Sequence, residues 1–273
     1  MIQDIAPHKF TIGYEHRRPA KESDFGVILK DGRVLVRKNG GVIPTLSEMG
    51  ISPEGLRYLC MIDEDAYFLA EEPTVLPEDL EWKSPMDFRE AEPQHLAFGG
   101  ISAVQIARFY RTNRFCPTCG TALVPKEEER ALQCPACKRT LYPRISPAVI
   151  CAVVDGERIV LTKYAGRAFK RYALVAGFCE VGETPEETAK REVFEETGLI
   201  VDDIHYYKCQ PWSFSETLLV GLVAHLAGPD AIHMDENELS VAEWVNRKDI
   251  PDDMGTGSLT REMILAFRDG KIG

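Results

Sequence analysis

Three carboxylates give the first chemical signal in the sequence. Glu192, Glu195 and Glu196 occupy positions i, i+3 and i+4 of a predicted helix, which places them within about one third of its circumference. Carboxylates this close repel one another unless cations lie between them. Hard, oxygen-seeking Mg²⁺ or Mn²⁺ is the natural partner, and these ions usually accompany a phosphate substrate. The alternative interpretation is an acidic helix face that contacts only solvent.

The helix that must position these glutamates has clear limits. A capping side chain, a proline at the first helical position, the second half of a capping box and a C-terminal glycine stop occur in order. These residues are Thr184, Pro185, Glu187 and Gly198. Ala189 and Val193 form a small apolar strip, so we expect the helix to pack on a sheet.

A second cluster consists of thiols. Two Cys-Pro-x-Cys pairs, separated by residues 120–133, contain Cys116, Cys119, Cys134 and Cys137. Two such pairs predict a tetrahedral Zn²⁺ site with four thiolate ligands. Four protein ligands leave no open coordination position, which favours a structural over a catalytic metal. A redox-active Cys-x-x-Cys is the weaker alternative.

Composition restricts the class of protein. The chain has 273 residues and a net charge of −11, which argues against a large non-specific nucleic-acid surface. We expect no membrane span, because no apolar run approaches 18 residues. The N-terminal sequence lacks a signal-peptide pattern, and metal-binding cysteines are typical of a reducing compartment. We therefore expect a cytoplasmic protein.

Hydrophobic patterns divide the chain into three predicted domains. Residues 1–95 form a β-rich domain, residues 96–142 a linker helix and zinc ribbon, and residues 143–273 an α/β domain. The first domain should contain a hairpin of residues 25–30 and 33–37 around Asp31-Gly32, and an extended pair at 56–62 and 66–70. An acidic, proline-punctuated linker follows at residues 73–93, and then a helix at 95–111.

The third domain alternates strands with two helices. We predict strands at residues 148–154, 158–163, 173–176, 205–208, 218–226 and 241–245, with a turn at Asp155-Gly156. The strand at 173–176 leads directly into the loop and the helix with the three glutamates. A C-terminal helix spans residues 259–268.

Residues 177–199 also fit a longer pattern, Gly-x5-Glu-x7-Arg-Glu-U-x-Glu-Glu-x-Gly-U, where U is aliphatic. This pattern resembles the Nudix box of the Nudix hydrolases, and all its fixed positions match. The resemblance implies an α+β fold, an α/β/α sandwich with a mixed sheet. It also implies hydrolysis of nucleoside diphosphates linked to another moiety, with Mg²⁺ or Mn²⁺.

The stretch from Cys209 to Thr217 bears on the substrate. Trp212 and Phe214 could stack on a flat ring and Gln210 could donate and accept hydrogen bonds, although packing in the core is an equally simple interpretation. The stretch is similar to the Ser-Gln-Pro-Trp-Pro-Phe-Pro-x-Ser motif of the NADH pyrophosphatases within the Nudix superfamily. Cys209, Ser213 and Ser215 depart from that motif, two of them by loss of proline, and Thr217 replaces its last serine.

The resemblance implies roles for individual residues. The catalytic cations would be held by Glu192, Glu195, Glu196, the backbone carbonyl of Ala176 and the distal Glu238. Arg191 would anchor the loop through Glu183 or Glu180. Substrate contacts are expected from Glu129, Tyr142, Phe178, Gln210, Pro211, Trp212, Ser213, Phe214, Ser215, Glu216 and Thr217. A basic run that could steer an anionic substrate comprises Lys163, Arg167, Lys170 and Arg171.

The expected reaction is hydrolysis of the pyrophosphate bond of NADH or NAD⁺, yielding nicotinamide mononucleotide and AMP, and also removal of the NAD cap from RNA 5′ ends. Family resemblance further implies a homodimer whose sites draw on both subunits. Two alternatives remain: another Nudix specificity, such as ADP-ribose, and a zinc-ribbon protein that binds nucleic acid and carries an inactive Nudix domain. The intact glutamates argue against the second.

Overall fold

The computed structural model describes residues 1–166, 171–251 and 257–273. The chain forms two compact units. One contains Ile2–Arg144 with Ser213–Glu216, and the other contains Met1, Ile145–Trp212 and Thr217–Gly273. No helix in the described ranges is long and apolar enough to cross a membrane.

The N-terminal unit consists of short strands and one long helix. Its elements are β1 (Phe10–Thr11), β2 (Phe25–Val27), β3 (Leu29–Lys30), β4 (Arg33–Arg37), α1 (Leu46–Met49), β5 (Arg57–Ile62), β6 (Asp65–Leu69), β7 (Leu80–Lys83), α2 (Gln94–Thr112), β8 (Val124–Pro125), β9 (Leu132–Gln133) and β10 (Thr140–Leu141). They form a sheet of order β1-β5-β6-β2 and two three-stranded sheets, β3-β4-β7 and β10-β9-β8.

The predicted extended pair of this unit is confirmed, and the predicted hairpin is confirmed in part, because Phe25–Val27 forms a separate strand, β2, that pairs parallel with β6. Strands β3 and β4 are antiparallel around Asp31 and Gly32, whose φ angles of 50° and 74° are those that an Asp-Gly turn accommodates. Strands β5 and β6 are also antiparallel. The predicted helix at residues 95–111 is present as α2.

The predicted linker at residues 73–93 is wrong in part, because it contains β7. Leu80–Lys83 pairs antiparallel with β4, and Leu80 is buried. The acidic composition and the flanking prolines concealed this strand. The prolines lie outside its four residues, where they remove no ladder hydrogen bond.

The C-terminal unit is built on one mixed sheet. Its elements are β11 (Ser146–Asp155), β12 (Arg158–Tyr164), β13 (Val175–Phe178), α3 (Pro185–Thr197), β14 (Val201–Trp212), β15 (Thr217–Leu226), β16 (Leu239–Asn246) and α4 (Leu259–Arg268). The strand order is β14-β15-β11-β12-β16, and β13 pairs with β11. Strands β11 and β15 are parallel, while the other pairs are antiparallel.

Alternation along β11 explains why the two helices cover opposite faces. Val149, Cys151 and Val153 pack in the cluster that contains α3, whereas Ile150, Ala152 and Val154 pack in the cluster that contains α4. Successive side chains of a strand point to opposite faces of the sheet, so this apolar strand is buried on both sides. The α/β/α sandwich with a mixed sheet is confirmed.

Most strand limits in this unit differ from the predictions by one or two residues, and three differences concern the turn after β11 and the strands β13 and β14. The turn after β11 is Gly156-Glu157 rather than Asp155-Gly156, because Asp155 pairs with Arg158. Strand β13 begins at Val175 and continues through Gly177 to Phe178, whereas the predicted strand ended at Ala176. Strand β14 is much longer than residues 205–208, since its exposed polar residues concealed its N-terminal part.

Candidate active site and metal-binding cysteines

Both ends of α3 are fixed by local hydrogen bonds. The hydroxyl of Thr184 accepts a bond from the backbone N–H of Glu187 at 3.2 Å, and the Glu187 carboxylate accepts one from the N–H of Thr184 at 2.8 Å. Gly198 ends the helix with a φ angle of 72°. The predicted capping box and glycine stop are confirmed, and they set the helix that carries the three glutamates.

The three glutamates lie in different environments. Glu195 is exposed, Glu192 is largely covered, and Glu196 is only 2% exposed. One oxygen of Glu196, Oε2, is buried without a hydrogen-bond partner. Burial, followed by the charge of Glu192, raises the pKa of Glu196 to about 8, although a hydrogen bond from the Ala176 backbone opposes the shift.

Gly177 permits the close approach of the loop to α3. A Cβ atom at this position would lie 2.0 Å from Cδ and Oε1 of Glu192. This distance is far below van der Waals contact, so any side chain would displace that carboxylate. The position of the Glu192 carboxylate therefore depends on glycine at position 177.

Arg191 ties the loop to the helix, and its predicted pairing with Glu183 is present. Its Nε and Nη2 donate to the two carboxylate oxygens of Glu183 at 2.6 and 2.9 Å, and Nη2 also donates to the carbonyl of Phe178 at 3.0 Å. These bonds from Arg191 are the main reason that the pKa of Glu183 falls to about 2. The remaining nitrogen, Nη1, contacts Glu192 and Glu195 at 2.7 and 3.0 Å.

The distal acidic loop lies near the same helix. The backbone N–H of Asp235 donates to the carbonyl of Glu196 at 3.1 Å. The charges of Glu238 and Asp235 both contribute to the raised pKa of Glu196. The side chain of Glu238 is exposed. Asp235 is a further acid at this site that sequence reasoning did not single out among its acidic neighbours.

The glutamates do not form a closed cluster. Among the residues that the structure describes, only the four ribbon cysteines offer three or more ligand atoms that all lie within 4.8 Å of one another. The Nη1 atom of Arg191 lies between the carboxylates of Glu192 and Glu195 and donates to both. A cation would nevertheless find only oxygen donors here, and one of them, Oε2 of Glu196, has no hydrogen-bond partner that the cation must displace. This donor set suits a hard divalent cation.

Residues of the Cys209–Thr217 stretch differ in how far they are exposed. Pro211 and Ser215 are exposed, Cys209, Trp212 and Glu216 are intermediate, and Gln210, Ser213, Phe214 and Thr217 are buried. Gln210 is 0% exposed. Its Nε2 donates to the carbonyl of Gly257 at 3.1 Å, and its Oε1 accepts from the N–H of Leu259 at 2.8 Å. The predicted polar amide therefore supports the start of α4.

The predicted stacking residue Phe178 is 55% exposed.

Arg108 is a residue that sequence reasoning missed. It lies on α2, and its Nη1 donates to the carbonyls of Phe214 and Ser213 at 3.1 and 3.4 Å. Glu216 of the same segment lies 3.5 Å from the Arg144 guanidinium. No sequence pattern indicates these contacts, because they join residues more than seventy positions apart.

Glu129 and Tyr142, the two predicted contacts near the ribbon, lie beside each other. The Tyr142 hydroxyl donates to the Glu129 carboxylate at 3.3 Å, and Lys126 contacts the same oxygen at 2.5 Å.

Of the predicted basic run, Arg167 and Lys170 lie outside the described residues. The ammonium of Lys163 lies 4.1 Å from the centre of the Tyr172 ring.

The four cysteines come together as the spacing predicted. The Sγ atoms of Cys116 and Cys137 are 3.5 Å apart, and those of Cys119 and Cys134 are 3.4 Å apart. All four are free thiols. Each pair is followed by a residue of positive φ, Gly120 or Lys138, whose N–H donates to the carbonyl of the pair's first cysteine. Two equivalent turns that present four sulfurs suit a tetrahedral Zn²⁺ site.

Two family models match the parts of the chain that contain the α3 glutamates and the four cysteines. Residues 144–264 match the NUDIX domain, and residues 111–142 match the NADH pyrophosphatase zinc ribbon domain. Among solved structures, a Nudix hydrolase from Nitrosomonas europaea has a TM-score of 0.50 and 21% identity, over 58% of this chain and 92% of that one. At this identity the likeness supports the fold alone.

Curated relatives share the same region. A protein of Pectobacterium atrosepticum named NAD-capped RNA hydrolase NudC is 39% identical over 161 residues, or 59% of this chain. A Vibrio cholerae protein of the same name is 36% identical over 169 residues, or 62% of this chain. The chain spans 62% of the length of each of these two relatives.

Proposed function

Residues 111–264 contain a zinc ribbon of the NADH pyrophosphatase type followed by a Nudix domain, and from this premise we propose that the protein hydrolyses the pyrophosphate bond of NADH and NAD⁺. The products are nicotinamide mononucleotide and AMP. The NAD cap of RNA contains the same bond, so we extend the proposal to NAD-capped RNA, the substrate in the names of the relatives.

A single observation supports the reaction class most strongly. On a helix with both ends capped, Glu196 is buried with an unpartnered oxygen, and Glu192 and Glu195 lie beside it. Burying a carboxylate without a compensating partner is unfavourable, so a purely structural role leaves this arrangement unexplained. A divalent cation would supply the missing partner.

We assign the cation site to the carboxylates of Glu192, Glu195, Glu196 and Glu238, with the carbonyl of Ala176. Mg²⁺ or Mn²⁺ bound there would neutralise pyrophosphate charge and polarise phosphorus. Glu195 is the most exposed of the three site glutamates on α3 and is therefore the one best placed to orient a water for in-line attack. Arg191 holds the loop through Glu183, which keeps the site in one geometry.

Selectivity would come from residues around the site. Phe178 is exposed on β13, immediately after Gly177, and can stack on an aromatic ring. Trp212, at the end of β14, offers a second ring. We assign the buried Gln210 a supporting role, because both ends of its amide are already bonded. Glu129, Tyr142, Pro211, Ser213, Phe214, Ser215, Glu216 and Thr217 complete the proposed substrate-binding set.

The remaining expectations are part of the same proposal. The ribbon Zn²⁺ is structural, the protein is a homodimer, and it acts in the cytoplasm, where a four-thiolate site is not oxidised. We also propose that the chain has three domains, which comprise residues 1–95, 96–142 and 143–273.

A competitive hydrolysis assay tests this function. NADH, NAD⁺, NAD-capped RNA and ADP-ribose are supplied together with Mg²⁺ or Mn²⁺, and nicotinamide mononucleotide release is compared with ribose phosphate release. We expect at least one of the nicotinamide substrates to be consumed before ADP-ribose. Faster consumption of ADP-ribose would contradict the substrate assignment while preserving the reaction class.

Trp212→Ala tests the selectivity segment. Loss of one stacked ring costs on the order of 1–3 kcal/mol, so kcat/KM for NADH should fall roughly 5- to 150-fold, mostly through KM. A diphosphate substrate without an aromatic ring should be much less affected. If both substrates lose activity equally and the Tm falls as well, Trp212 is a core residue and this assignment is wrong.

A further inference from the structure

A basic cavity lies in the N-terminal unit, apart from every residue assigned to catalysis. It has a volume of about 340 Å³, and its walls include Tyr14, Arg17, Arg18, Arg57, Tyr58 and Glu127. We call it the arginine–tyrosine pocket. Arg57 and Tyr58 begin strand β5, and Tyr14 lies in a single 3₁₀ turn at residues 14–16.

The charges in this pocket do not balance. Arg18 is neutralised by Asp24, which accepts two bonds from it at 2.6 and 2.7 Å. Arg17 donates to the backbone carbonyl of Glu127, and its nearest carboxylate oxygen, on the same residue, is 4.0 Å away. Within the described ranges no carboxylate lies within 4.0 Å of Arg57. A chain with a net charge of −11 thus keeps a local excess of positive charge here.

A buried hydroxyl in the wall also lacks a partner. Tyr58 is only 4% exposed, and its hydroxyl makes no hydrogen bond. Burial raises the pKa of Tyr58 to about 12, although the nearby guanidinium groups of Arg130 and Arg18 oppose the shift. The hydroxyl therefore stays protonated at neutral pH and can donate. An unbonded buried hydroxyl is unfavourable, and because this hydroxyl has almost no solvent-accessible surface, a small shift of the side chains around it must accompany its donation to a ligand.

We propose that the arginine–tyrosine pocket binds the phosphate group of a small phosphomonoester. Arg57 and Arg17 supply the positive charge, and the Tyr58 hydroxyl supplies a neutral donor. Guanidinium groups match phosphate oxygens in geometry and charge. The volume suits a single small molecule. Base stacking on Tyr14 is not part of the proposal, because the Arg17 and Arg130 guanidiniums already lie 4.8 and 5.5 Å from the centre of its ring.

Isothermal titration calorimetry on the zinc-loaded protein tests the pocket, with no Mg²⁺ or Mn²⁺ added and low salt throughout. The probes are inorganic phosphate, AMP and adenosine. We expect saturable binding of phosphate or AMP but not of adenosine, and binding that weakens as salt is raised. Phosphate alone indicates a site for the free anion, whereas tighter binding of AMP indicates a site for an esterified phosphate.

Matched variants locate the binding site. Arg57→Met should weaken binding at least about tenfold, since a hydrogen bond to a charged group is lost. Arg57→Lys should retain part of the affinity, and Arg33→Met, which alters an exposed arginine of β4, should have no effect. Tyr58→Phe should also weaken binding without lowering the Tm, because the hydroxyl makes no bond within the protein.

Two results would overturn the proposal. One is the absence of saturable binding by any phosphate-bearing probe in the wild-type protein. The other is binding that persists in folded Arg57→Met but disappears in Trp212→Ala, which would place the ligand in the proposed catalytic site. Circular dichroism of each variant distinguishes loss of binding from loss of fold.

Discussion

Glycine at position 177 and the carboxylate of Glu192 occupy adjoining space. A Cβ there would lie 2.0 Å from the carboxylate, so the carboxylate keeps its position only because this residue has no side chain. The sequence pattern specified glycine at this position. The reason for it became clear only when the distance to Glu192 was known.

Gly177→Ala should therefore reduce turnover of NADH strongly. The added methyl group pushes the Glu192 carboxylate aside, and a shift of about 1 Å in a catalytic group can cost on the order of 10²-fold in rate. The measurement is kcat together with the Tm. Gly228→Ala is the control, because its nearest neighbour, the side chain of Ile200, is 3.3 Å away. Equal turnover in the two variants would show that the position of Glu192 is unimportant.

Single residues also show the limit of sequence reasoning. Gln210 could be identified as a useful amide, but not as a fully buried one that bonds to Gly257 and Leu259. Its partners are supplied by a distant part of the chain. Motifs specify the identity of a residue, whereas its accessibility depends on the packing of the whole unit.

At the level of elements, α2 holds the segment between β14 and β15. Arg108 donates to the carbonyls of Ser213 and Phe214. In this segment Ser213 and Ser215 stand where the similar motif of the NADH pyrophosphatases has prolines. Proline restricts a loop through its fixed φ angle. The Arg108 contact provides another restraint on this segment.

Removal of this restraint should affect substrate binding more than chemistry. We expect Arg108→Met to raise KM for NADH by about tenfold, the lower end of the range for hydrogen bonds to charged groups, with a smaller change in kcat. Arg111→Met, which breaks only an exposed contact between the same helix and Glu71, is the control. An unchanged KM in Arg108→Met would show that this segment does not contribute to substrate binding.

The ribbon is the element whose stability depends on its metal. Cys116→Ser should lose bound zinc and lower the Tm, because the binding energy of a four-thiolate site is folding energy. Elemental analysis and thermal denaturation measure both effects. Cys209→Ser, outside the ribbon, should keep its zinc. Wild-type protein that contains no zinc after purification without chelators would contradict the assignment.

Elements were predictable where local chemistry dominates. Capping residues and a glycine stop determined α3, and an Asp-Gly turn determined the β3–β4 hairpin. Strand β7 was not predictable, because its partner β4 lies far away in the chain. The full length of β14 was not predictable either, although it pairs with the next strand, β15. Their exposed polar residues interrupt the apolar pattern that indicates a strand.

Across the whole molecule, sequence was most informative between residues 111 and 264. Two motifs with many fixed positions lie there, and the four cysteines and α3 take the positions that their spacing indicates. Residues 1–95 carry no recognisable chemical motif. The arginine–tyrosine pocket is assembled from residues 14–19, 55–58 and 127, and such a combination has no signature in sequence.

The central claim is that the α3 glutamates form the cation site of a pyrophosphate hydrolase. Its most direct test is steady-state NADH hydrolysis by Glu196→Gln and Glu186→Gln at saturating Mg²⁺ or Mn²⁺. Both variants lose one negative charge from the same helix, but Glu186 is exposed in its first turn, whereas Glu196 is buried. Glu196→Gln should lower kcat at least about 10²-fold with the Tm unchanged or raised, while Glu186→Gln turns over normally. Near-normal turnover in Glu196→Gln would contradict the claim.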